Sequence, residues 1–299
     1  MIKRTLYFSN PGTITKKDQQ LVYTDKENKI NTVPIEDIGF VVFDNKQLLL
    51  SNALITALID NNAAVMITDE KHLPSGLLMS IYYHHAYTEK LYYQLESSLP
   101  LKKNLWQQTI IAKIKNQAAL LDELNIASGK LLQYAKIVNS GDTKNVEGRA
   151  AAYYWDNLFG KDSLFTRSRT GEFPNDLLNY GYAILLAIVS RALIASGLLP
   201  AVGIHHRNKY NPWCLSSDIM EPYRPFVDRL IIEILKDEDC DDLLTTDVKK
   251  RLLTIPSLDI FIEGKRSPLM VGIQRTTASL ASCFEGSTRK ILYPDLNLN

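Results

Sequence analysis

A length of 299 residues suits one large domain or two ordinary ones, and 45% hydrophobic with 22% charged residues is the composition of an ordinary globular protein. The net charge of +1 gives no overall nucleic-acid signature, and no run of about 18 apolar residues suggests a membrane span. The cysteines form no CxxC pair and the opening "MIKRTLYFSNPG" lacks the apolar core of a secretory signal, which predicts a cytoplasmic protein without a disulfide or zinc framework.

The N-terminal part of the chain, about 75 residues, is predicted to form short strands. The segments rich in Val, Ile, Thr, Tyr and Phe are "RTLYFS", "QLVYT", "NTVPI", "IGFVVFD" and "AAVMITD". One helix interrupts them at "SNALITALIDNN", where Ser51 is suited to cap the N-terminus. This part contains no GxGxxG, no Walker loop and no cluster of His or Cys, so we expect a structural role such as a dimer interface.

From about Ile81 the apolar residues recur at intervals of three and four, which predicts helices. The clearest segments are "TEKLYYQLESSL", "LWQQTIIAKIKNQAALLDEL" and "LLNYGYAILLAIVSRALIASG", and Gly197 is a usual helix end. The predicted fold class is therefore α+β, with a small β-rich domain over residues 1–80 followed by a larger, nearly all-α catalytic domain over residues 81–299.

Two helical segments carry polar residues that suggest a site. In "NVEGRAAAYYWDNLFG", small residues follow Glu147, which would let another helix approach its carboxylate closely. The alternative is a glutamate that merely favours the positive end of a helix. In "NDLLNYGYAILL", Asn175, Asn179 and Tyr182 interrupt an apolar helix and need partners, either to support a site or for packing alone.

The stretch "GIHHRNKYNPWCLSSDIMEPYRPFVDRL" places His206 shortly before Asp218 and Glu221. The two acids are three residues apart, so they lie on one side if they share a helical turn, for which Ser216 and Ser217 are credible N-caps. One imidazole with two or three carboxylates suits manganese or magnesium better than zinc. This spacing is suggestive of a metal site, and a structural His is the alternative.

These motifs together resemble the CRISPR-associated spacer-acquisition integrases, the Cas1 family. That family's signature is Gly-x-x-His, a short polar stretch and Asp-(Leu/Ile)-Met-Glu-x-(Phe/Tyr)-Arg-Pro, which here reads Gly203, His206 and "DIMEPYRP". The segments "EGRAAAYYW" and "LNYGYAILL" are similar to the family's upstream motifs. The resemblance extends over nearly the whole chain and is strongest to members from type II systems.

The resemblance implies that Glu147, His206 and Glu221 bind a divalent metal, magnesium or manganese. Asp218 matches a further acid of the catalytic site, which is either a ligand or a support for one, whereas His205 matches no fixed position. The reaction implied is a metal-dependent transesterification, in which 3′-hydroxyl ends of a prespacer are joined to the repeat of a CRISPR array.

DNA phosphates call for basic side chains, which position a duplex without reading its sequence. Basic residues outnumber acidic ones between Leu101 and Thr170. The candidates for DNA contacts are Arg149, Arg167, Arg169, Arg207 and Lys209. For Arg224 and Arg229 we expect pairing with nearby acids instead.

The resemblance also implies an assembly: a homodimer that binds double-stranded DNA together with the small partner protein Cas2. Type II systems can add an accessory ring protein and the RNA-guided effector. Two other classes stay open on the residues alone, a metal-dependent nuclease in DNA repair and a non-catalytic DNA-binding scaffold.

Overall fold

The computed structural model describes residues 3–81, 83–160, 165–168, 173–237 and 244–296. The chain divides into two compact units, residues 1–85 and 86–299, a few residues after the predicted boundary. The first is strand-rich and the second mostly helical, so the predicted α+β class is confirmed.

The N-terminal unit contains two four-stranded sheets. Its elements are β1 (Arg4–Phe8), β2 (Gly12–Lys17), β3 (Gln20–Asp25), β4 (Ile30–Pro34), β5 (Ile38–Phe43), β6 (Leu48–Leu50), α1 (Asn52–Asp60), β7 (Ala64–Thr68) and β8 (Pro74–Leu78). One sheet has the order β1-β5-β7-β8, with β8 antiparallel and the other pairs parallel. The other has the order β4-β3-β2-β6.

The core of this unit forms around β5 and α1. All six residues of β5 are buried, as expected for an apolar strand covered on both faces. Leu54 and Leu58 of α1 are fully buried in the same cluster as Ile14 and Val65. The predicted cap is confirmed, because Ser51 Oγ accepts a hydrogen bond from Leu54 N at 3.3 Å. Strands β2, β6 and β8 were not predicted, since "GTITKK", "LLL" and "PSGLL" show little strand alternation.

The C-terminal unit is built from helices and one small hairpin. Its helices are α2 (Tyr87–Glu96), α3 (Leu99–Glu123), α4 (Gly129–Ile137), α5 (Val146–Leu158), α6 (Asn175–Ala195), α7 (Cys214–Met220), α8 (Arg224–Leu235), α9 (Thr246–Leu252) and α10 (Leu269–Phe284). The hairpin pairs β9 (Asp259–Ile262) with β10 (Lys265–Pro268). Helix α3 packs against α4, α5 and α8, and α6 packs against α7, α8 and α10.

Helix α6 is the one described helix whose length and composition would also suit a membrane span, with a mean hydropathy of 1.7 over its best window. Of that window, 83% is buried inside the protein, as in a core helix. Asp176 and Arg191 interrupt its apolar residues, so it contains no run of about 18 apolar residues. The helix ends before Gly197, whose positive φ of 77° agrees with the predicted stop.

The prediction that Ser216 or Ser217 caps a helix is wrong. Helix α7 begins at Cys214, so both serines lie inside it. Ser216 is fully buried and its hydroxyl contacts Ser190 Oγ on α6 at 2.7 Å. A 3-10 turn, Glu221–Tyr223, joins α7 to α8. Pro222 lies in this turn and Pro225 in the first turn of α8, where proline is tolerated.

Candidate active site

The Asp218 carboxylate organises the loop that carries His206. It is fully buried and accepts four hydrogen bonds, two on each oxygen. The backbone N–H groups of Ile204 and His205 donate to Oδ2 at 2.8 and 2.9 Å, and His206 donates to Oδ1 from its backbone N at 3.2 Å. The fourth contact joins His206 Nδ1 to Oδ1 at 2.5 Å. Asp218 thus supports His206 and has no lone pair left for a metal ion.

The same contact fixes the state of the His206 ring. Because a carboxylate only accepts, Nδ1 carries the proton and Nε2 is left as the nitrogen that can act as a ligand. The hydrogen bond with Asp218 raises the pKa of His206, and the charges of Glu221 and Glu147 contribute to the same direction. His206 therefore interacts electrostatically with both acids that the resemblance assigns to the same site.

His205 points to a different partner. Its ring stacks on the buried indole of Trp106 at 4.1 Å between centroids, with 2° between the planes. Burial lowers the pKa of His205. The His206 ring meets the same indole edge-on, and it is the His206 ring that contacts the Asp218 carboxylate.

Glu147 lies in the first turn of α5, where two other side chains prepare the helix start. Asn145 adopts a left-handed conformation and its Oδ1 accepts from Gly148 N at 3.2 Å. Asp142 accepts from the backbone N of both Val146 and Glu147 at 2.9 Å. The glutamate is therefore a helix-start residue, but its side chain also faces a buried cation.

That cation is Lys113, from the middle of α3. Its Nζ lies 2.6 Å from Glu147 Oε1 and 2.7 Å from Glu221 Oε2. Arg224 Nη2 lies 3.0 Å from the other oxygen, Glu221 Oε1. The structure thus brings Glu147 and Glu221 together on a lysine that the sequence pattern did not single out.

Charge pairing controls the ionisation of this cluster. Burial alone would lower the pKa of Lys113, but Glu221 and Glu147 outweigh it and raise that pKa. Burial alone would raise the pKa of Glu221, but Arg224 and Lys113 outweigh it and lower that pKa. Both groups are consequently charged at neutral pH.

The carboxylates of Glu147 and Glu221 and the imidazole of His206 are donors that suit a hard divalent cation, although their side chains are not arranged around a common point. Among the described residues, no three His, Cys, Asp or Glu side chains are grouped to hold a metal ion. The Lys113 ammonium instead takes the place between the two carboxylates. Glu221 Oε2 is buried, and the contact described for it is the 2.7 Å ion pair with Lys113. A carboxylate oxygen held in this way can bind a divalent metal ion that takes the place of the ammonium.

A buried network supports the site from behind. The hydroxyls of Tyr154 and Tyr182 both donate to Asp228, and burial raises the pKa of that acid to about 6. The guanidinium of Arg224 lies over the Tyr182 ring at 4.5 Å. The network therefore positions the arginine that holds Glu221, which gives Tyr182 of α6 a supporting role.

The predicted DNA-contacting residues differ in their surroundings. Arg149, Arg207 and Lys209 are exposed, whereas Arg167 donates to Asn175 Oδ1 at 3.0 Å and to Asn179 Oδ1 at 2.7 Å. Arg167 thus anchors its segment to α6. Arg169 lies outside the described residues.

The expected pairing of Arg224 and Arg229 with acids is found. Arg224 pairs with Glu221, and Arg229 Nη1 lies 3.6 Å from Glu123 Oε2.

Sequence reasoning missed Lys113, Asp142 and Trp106. Lys113 offered one signal, a basic residue within the apolar run "TIIAKIKNQAALL" of a helix that is buried along most of its length. Asp142 and Trp106 offered none, because their partners are distant in sequence or depend on a turn.

The chain is similar to known proteins over most of its length. The family model for "CRISPR associated protein Cas1" matches residues 6–263. A "CRISPR-associated endonuclease Cas1" from Neisseria meningitidis serogroup C is 34% identical over 299 residues, covering 99% of this chain and 97% of its own.

Solved structures share the fold. A casposase bound to integration product superimposes with a TM-score of 0.77 at 21% identity, covering 97% of this chain and 92% of the casposase. A chain of a Cas6-RT-Cas1–Cas2 complex gives a TM-score of 0.76 at 19% identity, covering 99% of this chain and 36% of the other.

Replacing Asp218 should change the titration of His206. In Asp218→Asn the amide has no charge to stabilise the imidazolium, so the pKa of His206 should fall from its raised value. The neutral ring, which a metal requires, would then prevail at lower pH than in the wild type. A titration of the imidazole C–H signals by NMR measures this shift.

A second Asp–His pair provides the control. In the N-terminal unit, His72 Nδ1 contacts Asp44 Oδ1 at 2.8 Å, so Asp44→Asn changes a similar contact in a different unit from His206. The His206 titration should be the same in Asp44→Asn and wild type. An unchanged pKa in Asp218→Asn would contradict the assigned contact.

Gly203 should not tolerate a side chain. A Cβ there would lie 2.5 Å from His206 O and 2.8 Å from Asp218 Oδ2, closer than side-chain carbons approach. Gly203→Ala should therefore displace the loop and lower the free energy of unfolding by about 1–3 kcal/mol. The control is Gly129→Ala, where a Cβ has nothing within 4 Å. Denaturant unfolding compares the two, and equal stabilities would refute the close packing.

Proposed function

The chain belongs to the CRISPR-associated Cas1 family, and on this premise we propose that it is a DNA integrase and endonuclease of CRISPR adaptation. Its reaction is the joining of prespacer 3′-hydroxyl ends to the repeat of a CRISPR array by transesterification. The endonuclease name of the Neisseria relative and the integration product in the casposase structure support a nuclease or integrase activity.

One observation carries the proposal: two carboxylates from different elements meet at a single cation position, beside an imidazole held by a third carboxylate. Glu147, Glu221 and His206 Nε2 are the groups that would hold magnesium or manganese. When bound, such an ion stabilises charge on the phosphoryl oxygens and lowers the pKa of the attacking hydroxyl. Asp218 orients the His206 ring, and Arg224 orients Glu221.

Positioning of the DNA is assigned to the exposed basic residues near these ligands. Arg149 follows Glu147 on α5, and Arg207 and Lys209 follow His206. Their positive charges are therefore close in the chain to the proposed ligands, where they can contact DNA phosphates. Arg167 contributes mainly by anchoring its segment, and Arg169 remains a candidate from the sequence.

We assign the partners on the same premise. The likeness to a chain of a Cas6-RT-Cas1–Cas2 complex supports Cas2 as a partner. The N-terminal unit, whose strand-forming sequence contains no nucleotide-binding motif and no cluster of His or Cys, is assigned to homodimerisation. A type II accessory ring protein and the RNA-guided effector are the remaining candidates.

The ligand assignment is tested by three single variants. Glu147→Ala and His206→Ala should bind manganese about tenfold or more weakly and lose strand joining. His205→Ala should keep most activity, because it removes a ring stacked on Trp106 and no ligand. The assay supplies a duplex with 3′-hydroxyl ends and a plasmid carrying the repeat, across a manganese titration.

The products separate the alternatives. Hydrolysis without joining would identify a repair-type nuclease, and neither joining nor hydrolysis by the folded wild type would leave a non-catalytic scaffold. Full activity in a folded Glu147→Ala would refute the ligand assignment. A dead His205→Ala beside an active His206→Ala would overturn the ligand register.

The basic residues are tested by the salt dependence of DNA binding. If Arg207 and Lys209 each contact a phosphate, the double variant Arg207→Ala/Lys209→Ala should lower the slope of log K against log salt by about 2. The control, Lys265→Ala/Arg266→Ala, removes two exposed charges from β10. Equal slopes in both double variants would refute the assignment.

A further inference from the structure

The position of Lys113 is unusual for a lysine inside a helix. Its side chain is only 9% exposed, and its ammonium contacts Glu147 on α5 and Glu221 before α8. A buried ammonium needs compensating charges, and these two carboxylates provide them. Lys113 therefore joins three elements of the site through its ion pairs and its hydrogen bond to Glu147.

The same two carboxylates are the oxygen ligands of the proposed metal site. Magnesium requires oxygen ligands at about 2.0–2.1 Å. The ammonium already lies within 2.7 Å of one oxygen of each acid. Glu221 has no spare oxygen on its other side, since Arg224 holds Oε1. Two cations cannot take this position at once, because like charges at such separations repel strongly in a buried site.

We propose that Lys113 is an exchangeable internal cation, whose ammonium competes with the divalent metal for Glu147 and Glu221. The inference rests on the proposed function, since it requires the metal site assigned there. Lysine suits the role because its charge is carried on a flexible four-carbon stem that can withdraw without moving α3. Lys113 is in this sense a positioning residue, which keeps the two acids paired and sets the affinity for the metal.

The exchange makes a prediction that differs from an ordinary structural ion pair. In Lys113→Met, a neutral side chain of similar length, the competing charge is gone. Manganese should then bind about tenfold or more tightly than in the wild type, because a like charge has left the site. A lysine that merely stabilised the fold would leave the affinity unchanged or reduce it.

Stability gives a second measurement. Without the ammonium, Glu147 and Glu221 repel each other, so Lys113→Met should melt at a lower temperature than the wild type. Manganese should restore the loss and raise its melting temperature more than that of the wild type, since binding stabilises the folded state in proportion to affinity. Adding Glu147→Gln to this variant should abolish both effects of manganese, which identifies the site responsible.

Lys90→Met is the matched control. Lys90 forms a partly buried ion pair with Glu285 in the same unit, and neither residue belongs to the metal site. Its manganese affinity, measured by titration calorimetry at fixed pH, should equal that of the wild type.

The outcomes distinguish failure of the lysine–metal exchange from failure of the metal site itself. Equal or weaker manganese binding in Lys113→Met, with tight binding in the wild type, would overturn the exchange and leave the metal site standing. A Lys113→Met protein that stays unfolded with manganese present would also overturn it, because the metal should replace the ammonium. Absence of manganese binding in the wild type and both lysine variants would overturn the proposed metal site itself.

Discussion

Charge neutralisation inside the helical unit is the constraint on which the site depends. Lys113 and Arg224 bracket Glu221, and Lys113 also holds Glu147, so each charge of this cluster has an opposite charge beside it. Breaking a buried pair by removing one partner costs about 3–5 kcal/mol, because the other charge is left uncompensated. The positions of α3, α5 and the turn before α8 are thereby tied to one another by the groups that carry the chemistry.

A second carboxylate, Asp218, turns an irregular loop into a fixed one. Loops rarely leave backbone N–H groups buried without acceptors, and this acid satisfies three of them while orienting the His206 ring. Gly203 is required because the loop passes so close to that carboxylate. Gly203, His206 and Asp218 therefore have this spacing in the sequence because they belong to one hydrogen-bonded loop.

The sequence patterns predicted the features that depend on contacts between residues close together in the chain. The buried strand "IGFVVF", the Ser51 cap and the three-residue separation of Asp218 from Glu221 all depend on near neighbours in the chain. Lys113 could not be placed in the same way, since its partners lie far along the chain and meet it only after α3 and α5 pack. The serine caps failed for a related reason: Ser216 finds its partner on α6, and that contact overrides its capping preference.

The exposed fractions of the site's side chains indicate the side from which a substrate can approach. The side chain of Glu221 is 7% exposed, that of Glu147 27% and that of His206 43%, so the cluster opens from a buried acid toward an accessible imidazole. The exposed Arg207 and Lys209 follow the imidazole in the chain and not the buried acid. Under the proposed function, a DNA phosphate reaches the ligands from the His206 side, while Glu221 and its arginine remain in the interior. The residue that must stay fixed is thus buried, and the residues that meet the substrate are the ones the solvent can reach.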